Sequence, residues 1–237
     1  MRILAMDTSC SVATVAVLEE DKLLAHTYLD EKLTHSQKLM PMVAQVLREL
    51  GLRPEDIDVY GASVGPGSFT GLRIGIATVK GLARGADKPV CGISTTMAMA
   101  YQFPYCQMEV CPMLDARNGQ VFYGRYRYEN GTLQELTPPG VLPAEQLAAD
   151  FSGPVLLMGD GAVKYKEIFA PNPQVWFAPP HLNMPSGAAV AYGILQKARA
   201  GETMPPAQLL PLYVRKSQAE QERERRLAAQ KGKEFEK

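Results

Sequence analysis

Residues 63–80 read SVGPGSFTGLRIGIATVK. An apolar run over residues 59–64 stops at Gly65-Pro66-Gly67, and a helical pattern resumes at Thr70 or Gly71. Glycine accepts positive φ and proline fixes its own, so the tripeptide permits a sharp strand-to-helix turn. Ser68 and Thr70 are natural N-caps, because their oxygens accept from the unpaired amides of a first helical turn. Such a turn gathers backbone donors at one spot and suits an anion. It serves equally as a well-capped connection with no ligand. It is not the phosphate-binding G-x-x-x-x-G-K-[ST], since no Lys-Ser/Thr follows Gly71.

Outward from this turn the chain alternates strands and helices. Residues 3–6 form a short apolar run that predicts a central strand. Residues 12–18 and 22–29, joined at Glu19-Glu20-Asp21, predict a hairpin. From His35 to Leu50, Leu39, Met42, Val43, Val46, Leu47 and Leu50 recur at helical spacing, with Thr34 as N-cap and Gly51 as stop. A strand near Val59, a helix over 70–83, a strand over 89–93 and a helix over 95–101 complete a mixed α/β lobe. Phe103-Pro104 marks a boundary, after which the opening motif recurs. Residues 110–114 run into Asp115 as residues 3–6 run into Asp7, and hairpin strands over 120–128 and 132–136 follow around Asn130-Gly131. Helices are expected over 143–151, 162–169 and 185–200, with a strand over 155–158. The pattern is a degenerate duplication: a first lobe over 1–104, a second over 105–217, and a charged tail over 218–237 of mixed sign, read as a solvated helix or frayed end.

Composition narrows the function classes. The 237 residues carry 25 basic and 25 acidic side chains, which argues against a chain-wide cationic surface for nucleic acid. The 46% hydrophobic content suffices for a sizeable core. No apolar window is long enough for a transmembrane helix, and no signal-peptide pattern opens the sequence. Cys10, Cys91, Cys106 and Cys111 lack C-x-x-C spacing and read as reduced thiols of a cytoplasmic protein.

The motifs ILAMDTS (3–9), HSQKLMP (35–41), GPGSFTGLRIG (65–75), DARNGQVFY (115–123), GDG (159–161) and PLYVR (211–215) stand in order along the chain. Together they closely resemble the bacterial TsaB (YeaZ) family of tRNA threonylcarbamoyladenosine synthesis, over roughly residues 1–216. The resemblance implies a two-lobed actin-like ATPase fold (ASKHA, ribonuclease H-like). It implies a non-catalytic subunit that supports a TsaD-like catalytic partner, with a TsaE-like ATPase, in forming N6-threonylcarbamoyladenosine at position 37 of tRNA. tRNA would be met through the complex, and a homodimer is expected when the chain is alone.

In the actin-like fold, nucleotide lies between the lobes. Asp7, Thr8 and Ser9, Gly67 and Ser68, Asp115, and Gly159, Asp160 and Gly161 outline such a cleft here. Two carboxylates facing across it would suit a hydrated magnesium and a triphosphate. The chemistry is thin, however. Asp7-Thr8-Ser9 lacks the middle glycine of the usual phosphate loop, and Asp-Thr-Ser and Asp-Ala-Arg equally cap turns. The cleft is therefore expected to be vestigial, with no cofactor in the isolated chain and ATP with magnesium left to the assembled complex.

No catalytic or metal-binding residue is assigned. The TsaD relatives carry two histidines four residues apart on a helix, a spacing that puts both on one face. The matching stretch here is Thr95-Thr96-Met97-Ala98-Met99, and the only histidines are His26, His35 and His181. H-E-x-x-H and G-x-S-x-G are both absent, which weighs against the peptidase label the family once bore, M22 glycoprotease. An actin-fold ATPase or kinase acting alone remains the rival reading. The partner surface is expected on two helices: Leu39, Met42, Val43 and Val46 of the first, and Gly71, Leu72, Gly75, Ile76, Thr78, Val79 and Leu82 of the second. The stripe Gly71, Gly75, Thr78, Leu82 and Gly85 is small-sided, and the second helix has more than one apolar face, so it is buried deeply or buried twice.

Overall fold

The computed structural model describes residues 1–31 and 34–215, so the expected tail over 218–237 lies outside the described residues. Two five-stranded sheets share one topology. In the first, β1 (Arg2–Asp7) pairs antiparallel with β2 (Ala13–Glu19), which pairs with β3 (Lys22–Leu29). On its other side β1 runs parallel to β4 (Val59–Gly65), which pairs with β5 (Val90–Ser94). The order is β3-β2-β1-β4-β5. In the second sheet, β6 (Glu109–Arg117), β7 (Gln120–Glu129), β8 (Thr132–Pro143), β9 (Val155–Met158) and β10 (Val175–Phe177) repeat that order and those directions. This repetition is the two-lobed actin-like fold that the sequence led us to expect.

β1 explains the layering. Ile3, Leu4, Ala5 and Met6 are all fully buried, as a central strand covered on both faces must be. Leu4 and Met6 point into the core shared with α1 (His35–Glu49) and α2 (Phe69–Ala86), while Ile3 and Ala5 point into a second core. Gln37 Oε1 accepts from the Thr34 amide at 3.1 Å at the start of α1. At its end Gly51 takes φ +64°, Leu52 N–H donates to Leu47 O at 2.9 Å and Gly51 N–H to Arg48 O at 3.1 Å. That pair of bonds satisfies carbonyls the helix would leave open. α2 begins one residue earlier than expected and is capped by Ser68 Oγ, which accepts from Gly71 N–H at 3.3 Å.

The second core draws on both ends of the chain. α7 (Gly187–Arg199), assigned from sequence to the second lobe, packs Val190, Ala191, Ile194 and Leu195 against Ile3, Ala5, Ala16 and Val59 of the first sheet. The far face of β1 is apolar and needs this cover, so the chain returns to the first lobe. Between the lobes, α3 (Thr95–Ala100) carries Thr96, whose hydroxyl lies 2.8 Å from Tyr126 Oη. A cluster of Cys10, Val12 and Met99 with Val110, Leu114, Phe122 and Tyr126 joins the two sheets.

Other differences are local. β8 continues to Pro143 rather than stopping near 136, because an edge strand tolerates Pro138 and Pro139, which lack a donor for the ladder. α4 (Ala144–Ala149) is shorter than expected. The helix expected over 162–169 is divided at Tyr165 into α5 (Asp160–Lys164) and α6 (Lys166–Phe169). At three residues, β10 is too short to give a periodic signal.

Candidate functional site

A cleft of about 620 Å³ separates the lobes. The first lobe lines it with Ser9, Cys10 and Ser11 after β1, and with residues 66–70 at the turn into α2. The second lobe contributes residues 114–117 of β6, Phe122 and Asp160, and residues 212–215 cross between them. Of the predicted cleft residues, Ser9, Gly67, Ser68, Asp115 and Asp160 line it.

Asp7 and Thr8 do not line it, and this bears on any nucleotide. Asp7 is 1% exposed, and its Oδ1 accepts from both the amide and the hydroxyl of Ser9 at 2.8 Å. Burial pushes its pKa up, and the groups of Ser63 and Ser9 offset this only partly. Its Oδ2 and the buried Ser63 hydroxyl lack a well-formed hydrogen bond. Thr8 turns inward and donates from Oγ1 to Gly71 O at 2.7 Å. Two carboxylates do not face each other across the cleft as expected. Asp115 faces it, and Asp7 lies beneath its floor.

Asp115 is satisfied from within its own lobe. Its Oδ2 accepts from Lys164 Nζ at 2.6 Å, and its Oδ1 from the Arg117 amide at 2.9 Å and Tyr165 Oη at 3.0 Å. Burial pushes its pKa upward, but Lys164, the Arg117 amide and Tyr165 outweigh this and hold it below the ordinary value. Asp160 Oδ1 accepts from the Asp115 amide at 2.9 Å, and burial raises its pKa. Gly159 takes φ +99° where a side chain would strike Met113 O, and Asn183 Oδ1 accepts from its amide at 3.0 Å. Gly161 packs directly on the β6 backbone. The second-lobe triplet thus has structural partners at each position. Of the two expected carboxylates, one is buried and the other is engaged by a lysine. Among the described residues no three His, Cys, Asp or Glu side chains gather as a metal would require.

The expected partner surface requires a sharper correction. Leu39, Met42, Val43, Val46, Ile76 and Val79 belong to the chain's own first core, and Leu72 is equally buried. All of them are covered within the chain itself. Gly71 and Gly75 also face inward. A Cβ on Gly71 would overlap Thr8 O, and one on Gly75 would sit 2.5 Å from Thr8 Oγ1. These two glycines let α2 approach the loop after β1, not a second molecule. What remains outside is different. Met40, Pro41 and Ala44 of α1 and Ala77, Gly81 and Gly85 of α2 are exposed, Thr78 is half-buried, and Ile74 and Leu82 are half-buried against the first core. A Cβ on Gly81 or Gly85 would meet nothing within 4 Å.

Sequence reasoning gave no role to PLYVR, yet Tyr213 stacks on Phe69 with ring centres 4.8 Å apart, and Arg73 Nε donates to its hydroxyl at 2.9 Å. The motif itself was the signal; only the structure supplies its partners. His35, read as a first-turn residue, lies with Nε2 2.7 Å from Cys10 O, and burial lowers its pKa.

Comparisons with known proteins agree with this architecture. The family model described as "TsaD: tRNA N6-adenosine threonylcarbamoyltransferase" matches residues 23–220. "tRNA threonylcarbamoyladenosine biosynthesis protein TsaB" of Escherichia coli (strain K12) is 34% identical over 214 residues, covering 87% of this chain and 86% of that protein. The chain belongs to the TsaB family. The TsaB protein of Bacillus subtilis (strain 168) is 35% identical over 173 residues, 71% of this chain and 75% of its own length. The solved structure "YeaZ from Pseudomonas aeruginosa" superposes with a TM-score of 0.78 at 29% identity, covering 90% of this chain and 99% of that one. The match to a TsaD model fits a TsaB protein built on the same two-lobed plan.

Proposed function

We propose that this chain is a non-catalytic subunit in the synthesis of N6-threonylcarbamoyladenosine in tRNA, and that it acts by holding a TsaD-like catalytic subunit. The curated relatives are named for that biosynthesis. The observation that carries the subunit role is the outer face of α1 and α2. Gly81 sits mid-helix in open space, where glycine costs about 0.8–1 kcal/mol relative to alanine and nothing in the chain itself needs the room. Small exposed positions on α2, together with exposed Met40, Pro41 and Ala44 on α1, suit close packing of another helix pair. A second copy of this chain would cover the same face when the TsaD-like protein is absent, giving a weak homodimer.

Catalysis and cofactor binding belong, in this reading, to the partners. The buried Asp7, the inward Thr8 and the Lys164-bound Asp115 favour a cleft that binds no ATP with magnesium in the free chain. The TsaE-like protein supplies ATPase activity, and tRNA is met through the complex. The work is placed in the cytoplasm, where tRNA is modified. No described helix is long and apolar enough to cross a membrane. Neither the lone ATPase nor the peptidase reading gains support from this geometry.

The test is reconstitution with tRNA, threonine, bicarbonate, ATP and the enzyme that makes the adenylate. Product is expected only when a TsaD-like protein is added, and a pull-down should recover the two together. Robust product from this chain without that protein would sink the reading.

A further inference from the structure

The last described stretch of the chain changes character at Leu212. Up to that point backbone bonds fix it to the first lobe. Met204 pairs with Val90 through two 2.9 Å bonds, Lys80 Nζ donates to Ala207 O at 3.1 Å and Leu209 O at 3.2 Å, and Leu212 N–H donates to Val64 O at 2.7 Å. Leu209 is buried in the first core. Beyond Leu212, residues 213–215 make no main-chain hydrogen bond among the described residues, and they leave the first lobe for the second.

Three side chains hold that crossing. Tyr213 lies on Phe69 and accepts from Arg73, both on α2, and the Arg73 guanidinium stands 3.9 Å from the Phe69 ring centre. Val214 packs on the inter-lobe cluster that contains Cys10, Leu114 and Phe122. Arg215 Nη1 donates to Gln120 Oε1 at 3.1 Å, with its guanidinium 5.3 Å from the Phe122 ring centre. One anchor is therefore on each lobe, and all three residues line the cleft. Tyr213 is 42% exposed, so water reaches this anchor without any unfolding of the core.

We propose that residues 213–215 are a latch across the mouth of the inter-lobe cleft, opened by release of Tyr213 and Arg215 while the segment up to Leu212 stays bound. Side-chain stacking and single hydrogen bonds are individually weak, whereas the backbone bonds and buried Leu209 behind them are not. Opening is thus a local event, well below global unfolding in free energy. It uncovers the wall of the cleft that carries Cys10, and it does not depend on which partner the chain binds.

Cys10 provides the readout, since it lines the cleft and is 8% exposed. Cys91 and Cys111 are fully buried inside the first and second sheets and report global opening. The full-length chain carrying Cys106→Ser is pulsed with iodoacetamide, and each cysteine is followed by mass spectrometry. Tyr213→Ala should raise the Cys10 rate on the order of tenfold, the factor that about 1.4 kcal/mol supplies. Arg215→Ala should raise it as well, and Tyr213→Phe, which keeps the ring but not the bond from Arg73, should raise it less than Tyr213→Ala. Cys91 and Cys111 should not change. An unchanged Cys10 rate in Tyr213→Ala and Arg215→Ala, or a parallel rise at all three cysteines, would overturn the latch.

Discussion

Two pairs of glycines on one helix should respond to substitution in opposite directions. Gly71 and Gly75 are pressed against Thr8, while Gly81 and Gly85 stand in open space. Gly71→Ala would place a methyl group on the Thr8 carbonyl and break the 2.7 Å bond from Thr8 Oγ1 to Gly71 O. Overpacking costs roughly 1–3 kcal/mol, and the lost bond about 0.5–1.5 kcal/mol. The gain in helix propensity returns about 0.8–1 kcal/mol, so a net loss of about 0.5–3.7 kcal/mol is expected. Gly81→Ala meets nothing and keeps only the gain. At roughly 2–4 °C per kcal/mol for a chain of this size, Gly71→Ala should lower the melting temperature by about 1–15 °C. Gly81→Ala should raise it by about 2–4 °C. Circular dichroism melting of the free chain measures both. Gly81→Leu, titrated with the TsaD-like protein, then separates fold from interface: it should leave folding intact and weaken binding, because the bulk lies on the proposed docking face. A Gly71→Ala protein as stable as the parent would refute the inward assignment. A Gly81→Leu protein that binds normally would remove the outer face as the docking surface.

Two further outcomes are expected. Asp7 has a raised pKa in the fold, so its contribution to stability is fully present below the unfolded value near 3.8 and is lost as pH rises through the folded value. Asp7→Asn, which can still accept from Ser9, should therefore gain on the parent in melting temperature as pH rises from 3.5 to 7, and equal stability differences at both pH values would contradict the buried-carboxyl account. Tyr126→Phe should cost about 0.5–1.5 kcal/mol by leaving the buried Thr96 hydroxyl one partner short, and an unchanged thermal melt would show that this inter-lobe bond adds nothing.

Much of the fold was legible because its signals are local and repeated. Apolar runs ending at Asp7 and Asp115, each followed by a hairpin, stand at matched positions of the two sheets. The caps at Thr34, Gly51 and Ser68 fall where their side chains or backbone freedom require. What was not legible depends on contacts between distant parts of the chain. α7 looks like any amphipathic helix, and only the bare face of β1, some 185 residues earlier in sequence (Ile3 to Val190), determines which sheet it covers. The carboxylate at Asp7 sits at the expected strand end, but it is buried where Thr8 turns inward to Gly71 and the Ser9 amide and hydroxyl donate to Oδ1.

The helix α2 shows most clearly why a candidate interface could be found but not oriented. Its sequence announces an excess of apolar and small positions, and a helix with two such faces must bury one of them somewhere else. Periodicity gives the angular spacing between faces but not the direction of the core. Gly71 and Gly75 invited assignment to the partner because they lie in the most distinctive motif, and the fold instead uses them to admit the loop after β1. The chain's own packing accounts for Leu72, Ile76, Val79 and Ala83 as well. Once those positions are subtracted, Ala77, Gly81 and Gly85 are left without an internal reason for being small. Glycine at an exposed mid-helix site is a cost that the free chain bears alone. That residue of unexplained cost, and not the motif that first drew attention, is what favours the outer face as the proposed docking face.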